Sequence, residues 1–360
     1  MTFSCPKTNL EWLEKRTVFA AVHGSHAYGT NRPGSDLDIR GVCVPPAQYF
    51  HGYASHFEQA EFKEEDVVVY DIRKFFKLAA DCNPNVVEIL FTDPRNHLFV
   101  HPLLGKMLLD VRGDFITRKA KHTFAGYAVS QLKRIKLHRR WLLSPPAAAP
   151  VRVDFDLPDR TLIPGDQLAA VWSRVRSKLE EWDVAMDGLD DASRIDLKDR
   201  YAKALAEQEI TSDTQWQAAA RTLGVSDNFI ELMDREKRFQ SAQAEWTSYS
   251  NWLRNRNPAR AALEKKFGYD TKHAMHLVRL LRMGREILEG KGVIVYRPDR
   301  EELGAIRDGA WTFDQLIEWA GQAELALDAS LKTSPLPWGV DQKKLDVVCC
   351  QIVEAALENG

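Results

Sequence analysis

The stretch that most constrains this chain is residues 18 to 44, VFAAVHGSHAYGTNRPGSDLDIRGVCV. It opens on a short, partly β-branched apolar run, Val18 to Val22, which predicts a buried strand. Gly24-Ser25 follows at once, and after two further glycines, Gly29 and Gly34, comes Ser35-Asp36-Leu37-Asp38-Ile39. Read as a second strand, these residues alternate: Asp36 and Asp38 share one face, while Leu37 and Ile39 point into a core. Two carboxylates held side by side on a strand repel each other unless a cation sits between them. Oxygen-only ligands at this spacing suit Mg²⁺ or Mn²⁺, which complete their shells with water and substrate phosphate. A glycine directly after a strand lets backbone N–H groups approach an anion closely. The serine adds a hydroxyl donor, and a helix starting there adds a favourable dipole. A phosphate cradle followed by metal-binding carboxylates is what nucleotidyl transfer needs. The plainer alternative is a glycine turn followed by an amphipathic strand with exposed acids. The two halves together, each beside an apolar run, favour the first reading.

At 360 residues the chain is long enough for two domains. Its 44% hydrophobic and 28% charged content are those of an ordinary globular protein. A formal net charge of −2 excludes a globally basic nucleic-acid binder, so any such surface must be a local patch. The five cysteines, Cys5, Cys43, Cys82, Cys349 and Cys350, are odd in number and show no CxxC spacing. Neither a zinc site nor a disulfide framework is therefore expected, and a reducing compartment is. With no signal-peptide core and no apolar run of membrane-spanning length, the expectation is a cytoplasmic protein without a membrane partner.

Taken in order, residues 8 to 16 predict a first helix, capped by Thr8 or Asn9 and facing Leu10 and Leu13 inward. Pro45-Pro46 ends the strand that follows the acids. Arg40 shares the Asp38 face, where it could touch a phosphate or base, or pair with the aspartates. Asp66 to Asp71, DVVVYD, predicts a third strand with an acid at each end. Nucleotidyl transfer needs a third carboxylate on a neighbouring strand, and period-2 alternation lets only one of Asp66 and Asp71 share the face of the first pair. A helix through Leu78 and an Asn83-Pro84 cap follow. Glu88 reads as a structural acid, pairing with Lys74 or a backbone group.

From Phe115 to Val153 there is no Asp or Glu, while Lys133, Arg134, Arg139 and Arg140 fall within a helical pattern. On a nearly neutral protein this suggests either a groove for a polyanion or a solvated face that happens to be basic. SPPAAAP at 144 to 150 breaks the chain. Beyond it, to about residue 250, helical patterns at Val171, Val175, Leu179 and Trp182, then at Tyr201, Leu205 and Trp216, carry no chemical motif. In FGYDTKHAMHLVRLLRMGRE, residues 267 to 286, Lys272, His276, Arg279, Arg282 and Glu286 form one stripe of a helix and Leu277, Val278 and Leu281 the opposite side. The stripe is either a clamp for triphosphate or RNA phosphate or an exposed amphipathic face. His273 lies nearer the apolar side and reads as a hydrogen-bonded core histidine.

GSHAYGTNRPGSDLDIRGV, DVVVYDIRKFFKL with CNPNVVEILF, FAGYAVSQLKRI, and FGYDTKHAMHLVRLLRMGREIL together resemble the RNA-ligase-associated nucleotidyltransferases, an RNA repair branch of the DNA polymerase β superfamily. The resemblance implies an α+β fold: a polymerase-β-type palm, a small mixed sheet with helices, followed by a largely helical region. The expected organisation is a catalytic domain over 1–114, a basic helical segment over 115–143, a helical insertion over 144–250 and a C-terminal helical domain over 251–360. It further implies transfer of an NMP from an NTP to an acceptor hydroxyl, with two Mg²⁺ ions (or Mn²⁺). Carried over residue by residue, Asp36, Asp38 and Asp66 become the catalytic metal ligands, Asp66 because in the superfamily this acid leads the apolar run. Gly24 and Ser25 become phosphate contacts. From the stripe, Lys272, His276 and Arg279 are candidate nucleotide ligands, and Lys133, Arg134, Arg139 and Arg140 candidate RNA contacts. The implied partners are an NTP, RNA and an RNA ligase. Two rivals remain: nucleotidylation of a small molecule or protein side chain, and a non-catalytic nucleotide-binding partner of a ligase.

Overall fold

The structure is a computed structural model that describes residues 3–161, 166, 169–175, 177 and 215–358. Of the sequence expectations, those resting on Leu179, Trp182, Tyr201 and Leu205 lie outside the described residues. Five strands, β1 (Thr17–Val22), β2 (Ile39–Cys43), β3 (Gln59–Phe62), β4 (Val67–Asp71) and β5 (His97–Val100), form one mixed sheet in the order β3-β4-β2-β1-β5. β2 and β4 pair in parallel and every other pair is antiparallel. β1 is buried along its whole length, as its uninterrupted apolar run requires of a strand hydrogen-bonded on both edges.

Three local expectations change. Residues 11 to 16 form a run of turns in place of the expected helix over 8 to 16, held by Leu13 N–H to the Leu10 carbonyl and Arg16 N–H to the Trp12 carbonyl. β1 begins at Thr17, so the segment is too short to propagate a helix, yet Leu13 is still buried completely. β3 was not foreseen: QAEF is a short edge strand carrying charge, the pattern that discourages edge-to-edge pairing. Asp36 and Asp38 precede β2 rather than lying in it, because β1 ends at Val22, opposite Ile39, and leaves no partner strand beyond. One bond, His23 N–H to the Asp38 carbonyl at 2.8 Å, carries the ladder a step further.

The helices are α1 (Gly24–Tyr28), α2 (Gln48–His51), α3 (Ile72–Ala80), α4 (Pro84–Leu90), α5 (Leu104–Asp110), α6 (Ala120–Leu143), α7 (Gln215–Thr222), α8 (Asp227–Arg254), α9 (Pro258–Phe267), α10 (Thr271–Leu288), α11 (Arg300–Arg307), α12 (Phe313–Thr333) and α13 (Gln342–Glu358). α3 starts where Asp71 caps it by accepting the Arg73 N–H, and it buries Ile72, Phe75, Phe76 and Ala79, an i, i+3, i+4, i+7 face. α4 has Asn83 as its cap and Pro84 at its first position.

Two cores result. One joins Val18, Phe19 and Val42 of the sheet to α3, α4 and α5, and Leu345 and Ile352 of the distant α13 complete it. The other surrounds α10, whose Leu277, Val278 and Leu281 pack with Phe124 and Ile135 of α6 and Leu316 of α12. Each such side chain, fully buried, contributes about 1.5–3 kcal/mol. Gly284 lets α6 and α10 approach closely, since a Cβ there would stand 3.0 Å from the Phe124 Cβ. Residues 1–144 and 257–360 form one compact unit and 145–256 a second. The second has its own small core of Val175, Trp216, Ile230 and Met233. Among the described residues no helix is long and apolar enough to cross a membrane.

Candidate active site

β1 delivers its last residue to His23, and the backbone turns at Gly24 into α1. Gly24 has φ +62°, and a Cβ added there would fall 1.9 Å from Asp38 Oδ2. Glycine is thus required twice, for the left-handed backbone and for the space the carboxylate occupies. Ser25 follows, half-buried, in the first turn of α1. The glycine-serine turn and Asp38, fourteen residues apart in sequence, are in direct contact through this packing.

Asp66 immediately precedes β4 with φ +54°, which lets its carbonyl accept the Ile39 N–H at 3.0 Å. Because β2 and β4 run in parallel with Ile39 opposite Val67, Asp38 and Asp66 arrive at the same end of the sheet. Arg40 joins them: its Nη2 lies 3.0 Å from Asp66 Oδ1 and 3.5 Å from Asp38 Oδ1, and its Nη1 donates to the Asp66 carbonyl at 2.7 Å. Of the two roles open to Arg40, this structure has it pairing with the aspartates. Burial, reinforced by the Asp66 carboxylate, pushes the Asp38 carboxyl up to about 6, with Arg40 and His23 only partly offsetting this. Burial acts on Asp66 in the same sense, but its bond with Asp38 and the Arg40 guanidinium hold it below the usual carboxylate range. The two acids form a crowded pair in which Asp38 is the one that holds a proton more readily.

Asp71 has a different task. It lies at the far end of β4, opposite Cys43, is buried, caps α3 and pairs with Arg73 at 2.6 Å. Asp36 stays exposed in the loop before β2. Among the described residues Asp36, Asp38 and Asp66 do not gather their oxygens at a single point, as three like charges with only a guanidinium among them would not.

Cations face the acids from the C-terminal part of the same unit. Lys272, in the first turn of α10, feels both Asp36 and Asp38. Burial and the neighbouring Arg260 and Arg307 nevertheless lower its pKa. Arg307 of α11 is lowered too, by burial and then by Arg32 and Arg260, and its Nη1 donates to the Thr30 carbonyl at 3.4 Å. Around Lys272 and Arg307 stand Arg260, which pairs with Asp270, and Arg32, which pairs with Asp308 at 2.8 Å; the sequence reading missed Arg32, Arg260 and Arg307. Nothing in their spacing marks them, because three separate segments contribute.

The rest of the expected stripe is internal structure. Arg279 is buried: Nη1 donates to Glu88 Oε1 at 2.7 Å, and its guanidinium lies 3.8 Å from the Tyr28 ring centre. It is a scaffold residue, not a free phosphate ligand. Tyr28 Oη donates to the other Glu88 oxygen at 2.5 Å, and His23 Nε2 stands 3.6 Å away. Burial would raise the Glu88 carboxyl, but Arg279, His23 and Tyr28 together hold it down at about 2. Glu88 is thus a structural acid whose partner is Arg279; Lys74 pairs instead with Glu58 at 2.6 Å. His276 is driven well below the usual imidazole range by burial and the charges of Arg279 and Lys272. Arg282 pairs with Asp299 and Glu302, and Glu286 with Arg297. On α6, Lys133 and Arg134 are exposed, as is Arg140. Arg139 is committed to the fold, donating to the Gly268 carbonyl at 3.0 Å with its guanidinium 4.4 Å from the Phe313 ring centre.

A mixed sheet whose first strand runs into a glycine-serine turn packed on the acid of the next strand is a palm of the polymerase-β type. Residues 7–142, somewhat more than a third of the chain, match the sequence model of the RNA repair pathway DNA polymerase beta family. A relative from Enterobacteria phage T4, described as an uncharacterized 38.9 kDa protein of the nrdC-mobD intergenic region, is 32% identical over 132 residues. That alignment covers 33% of this chain and 38% of the phage protein. No solved structure matches the chain.

Proposed function

We propose that this protein is a metal-dependent nucleotidyltransferase that moves an NMP from an NTP to an acceptor hydroxyl, an RNA end in RNA repair. The observation that carries the reading is the contact between Gly24 and the Asp38 carboxylate, with Asp66 beside it. This contact puts an anion-binding turn and a pair of crowded acids in one place.

The donor set fits a hard divalent ion such as Mg²⁺ or Mn²⁺. It is all oxygen, it is short of positive charge, and Arg40 already serves it as a cation. Asp36, Asp38 and Asp66 would hold the metal, which when bound supplies charge neutralisation at the reacting phosphate. Asp66 would accept the proton of the attacking hydroxyl. The Gly24 backbone and Ser25 would hold the phosphate chain, and Lys272 with Arg307 would neutralise the pyrophosphate end. Such an anion would offset the burial and the neighbouring positive charge that now lower both groups. Exposed Lys133 and Arg134 on an acid-free helix support RNA as the acceptor.

The test is incubation with each α-labelled NTP, Mg²⁺ and total RNA. Label should move to RNA, Asp66→Asn should abolish transfer, and Asp71→Asn should instead lower Tm while sparing the specific activity of the folded protein. Label that moves only to protein or to a small molecule would refute the RNA assignment.

A further inference from the structure

Three side chains from α6 and α10 converge at a place the proposed reaction does not use. Asp270, fully buried, caps α10 by accepting the His273 N–H at 3.0 Å. Its Oδ2 stands 3.6 Å from His138 Nδ1 and 3.6 Å from His273 Nε2. One ligand atom from each of the three lies within 4.8 Å of the other two. His273 is not the satisfied core histidine its place in the sequence suggests. Its Nε2 is beyond normal hydrogen-bond length from Asp270, and its buried Nδ1 has no hydrogen-bond partner among the described residues.

We propose that His138, Asp270 and His273 form a binding site for one divalent transition-metal ion of the zinc type, with a fourth position open to water. Tetrahedral zinc with bonds of about 2.0–2.1 Å holds its ligand atoms about 3.3 Å apart. The two 3.6 Å separations from Asp270 therefore need a few tenths of an ångström of closure, and the His138–His273 pair, within 4.8 Å, at most about 1.5 Å. Two nitrogens and one oxygen suit zinc or cobalt, whereas magnesium and calcium prefer oxygen alone. The expectation of no zinc site rested on the cysteines, and none of these ligands is a cysteine. Each histidine side chain is 14% exposed, so an ion can reach the cluster from solvent.

One feature opposes the ion: the Arg260 guanidinium contacts the same Asp270 oxygen. Arg260 also faces Glu264, Nε to Oε1 at 3.6 Å, so it can give up Asp270 without being stranded from a carboxylate. Arg260 and the metal thus compete for one oxygen.

The full chain carrying Asp36→Ala and Asp38→Ala, stripped with chelator, should bind one equivalent of Co²⁺ with the visible absorption of four-coordinate cobalt, displaced by Zn²⁺. His273→Ala and His138→Ala should each weaken binding by about tenfold or more, and Arg260→Ala should tighten it. No stoichiometric binding in either the starting protein or the Arg260→Ala variant overturns the site, as does binding that survives loss of both histidines. Should a histidine variant fail to fold, the first two measurements still decide. Nucleotide transfer is not read, so either result leaves the proposed reaction standing or falling on its own test.

Discussion

Asp38 with Asp66 and Glu88 with Arg279 are both clusters of charge at the edge of the same palm, and both involve His23. Around Glu88 the carboxylate is held on both oxygens: the Arg279 guanidinium and the Tyr28 phenol bond it, with His23 Nε2 3.6 Å away, and together they keep it ionised. Around Asp38 the balance is left open. Two carboxylates crowd one another and one of them holds its proton to about pH 6, with Arg40 alone bridging them. The satisfied cluster fixes how α1 and the start of the glycine-serine turn sit against α4 and α10. The unsatisfied one faces solvent with Lys272 near it. Charge that is fully paired in the folded state has done its work there, whereas charge left in excess at a precise place is free energy available to a ligand.

The comparison breaks most sharply in activity. Asp36→Ala with Asp38→Ala should reduce nucleotide transfer about 10³-fold or more with Tm almost unchanged. Retained transfer at matched Tm would move the chemistry elsewhere. Next in size is the scaffold. Arg279→Ala leaves Glu88 buried and unpaired and should cost about 3–5 kcal/mol. That predicts a Tm lower by about 10 °C in a thermal melt, and a mutant as stable as the parent would mean the pair is not structural.

A smaller effect tests the crowded acids. The folded Asp38 pKa of about 6 lies above that of the unfolded chain, so between about pH 4 and 6 the folded state holds a proton the unfolded state has released. Stability from this group is therefore present at low pH and falls as pH rises through that window. Asp38→Asn should stabilise the metal-free protein at pH 7 by on the order of 1 kcal/mol, discounted for its partial exposure, and by less at pH 4. Mg²⁺ should correspondingly raise Tm more at pH 7 than at pH 5, and equal shifts at both would separate the ion from Asp38. Smallest of all, Lys133→Ala and Arg134→Ala should each lower the salt dependence of RNA binding by about one phosphate contact, read as the slope of log affinity against log salt.

Much of the palm was legible because its signals are local. The apolar run of β1, the Asn83-Pro84 cap and the coincidence of Gly24-Ser25 with Asp36 and Asp38 each depend on residues close together in the chain. The α10 stripe misled for the opposite reason. Periodicity places Arg279, Arg282 and Glu286 on a face, but it cannot say that Glu88, Asp299 and Arg297 wait there to pair with them.

By itself the sequence determined the first buried strand, the glycine-serine turn after it and the acids that follow, while the small mixed sheet was an expectation from family resemblance. The sequence left Asp66 and Asp71 level until a family resemblance was used to choose. The tertiary structure showed how each is employed: the parallel register of β2 on β4 brings Asp66 to Asp38 and carries Asp71 to the other end as a helix cap. Only the fold, too, could bring Lys272 near the acids with Arg260 and Arg307 around it, or set His138 beside Asp270. Backbone preferences act over a few residues and can be read along the chain, whereas electrostatic partners are chosen by distances in space that no short segment encodes.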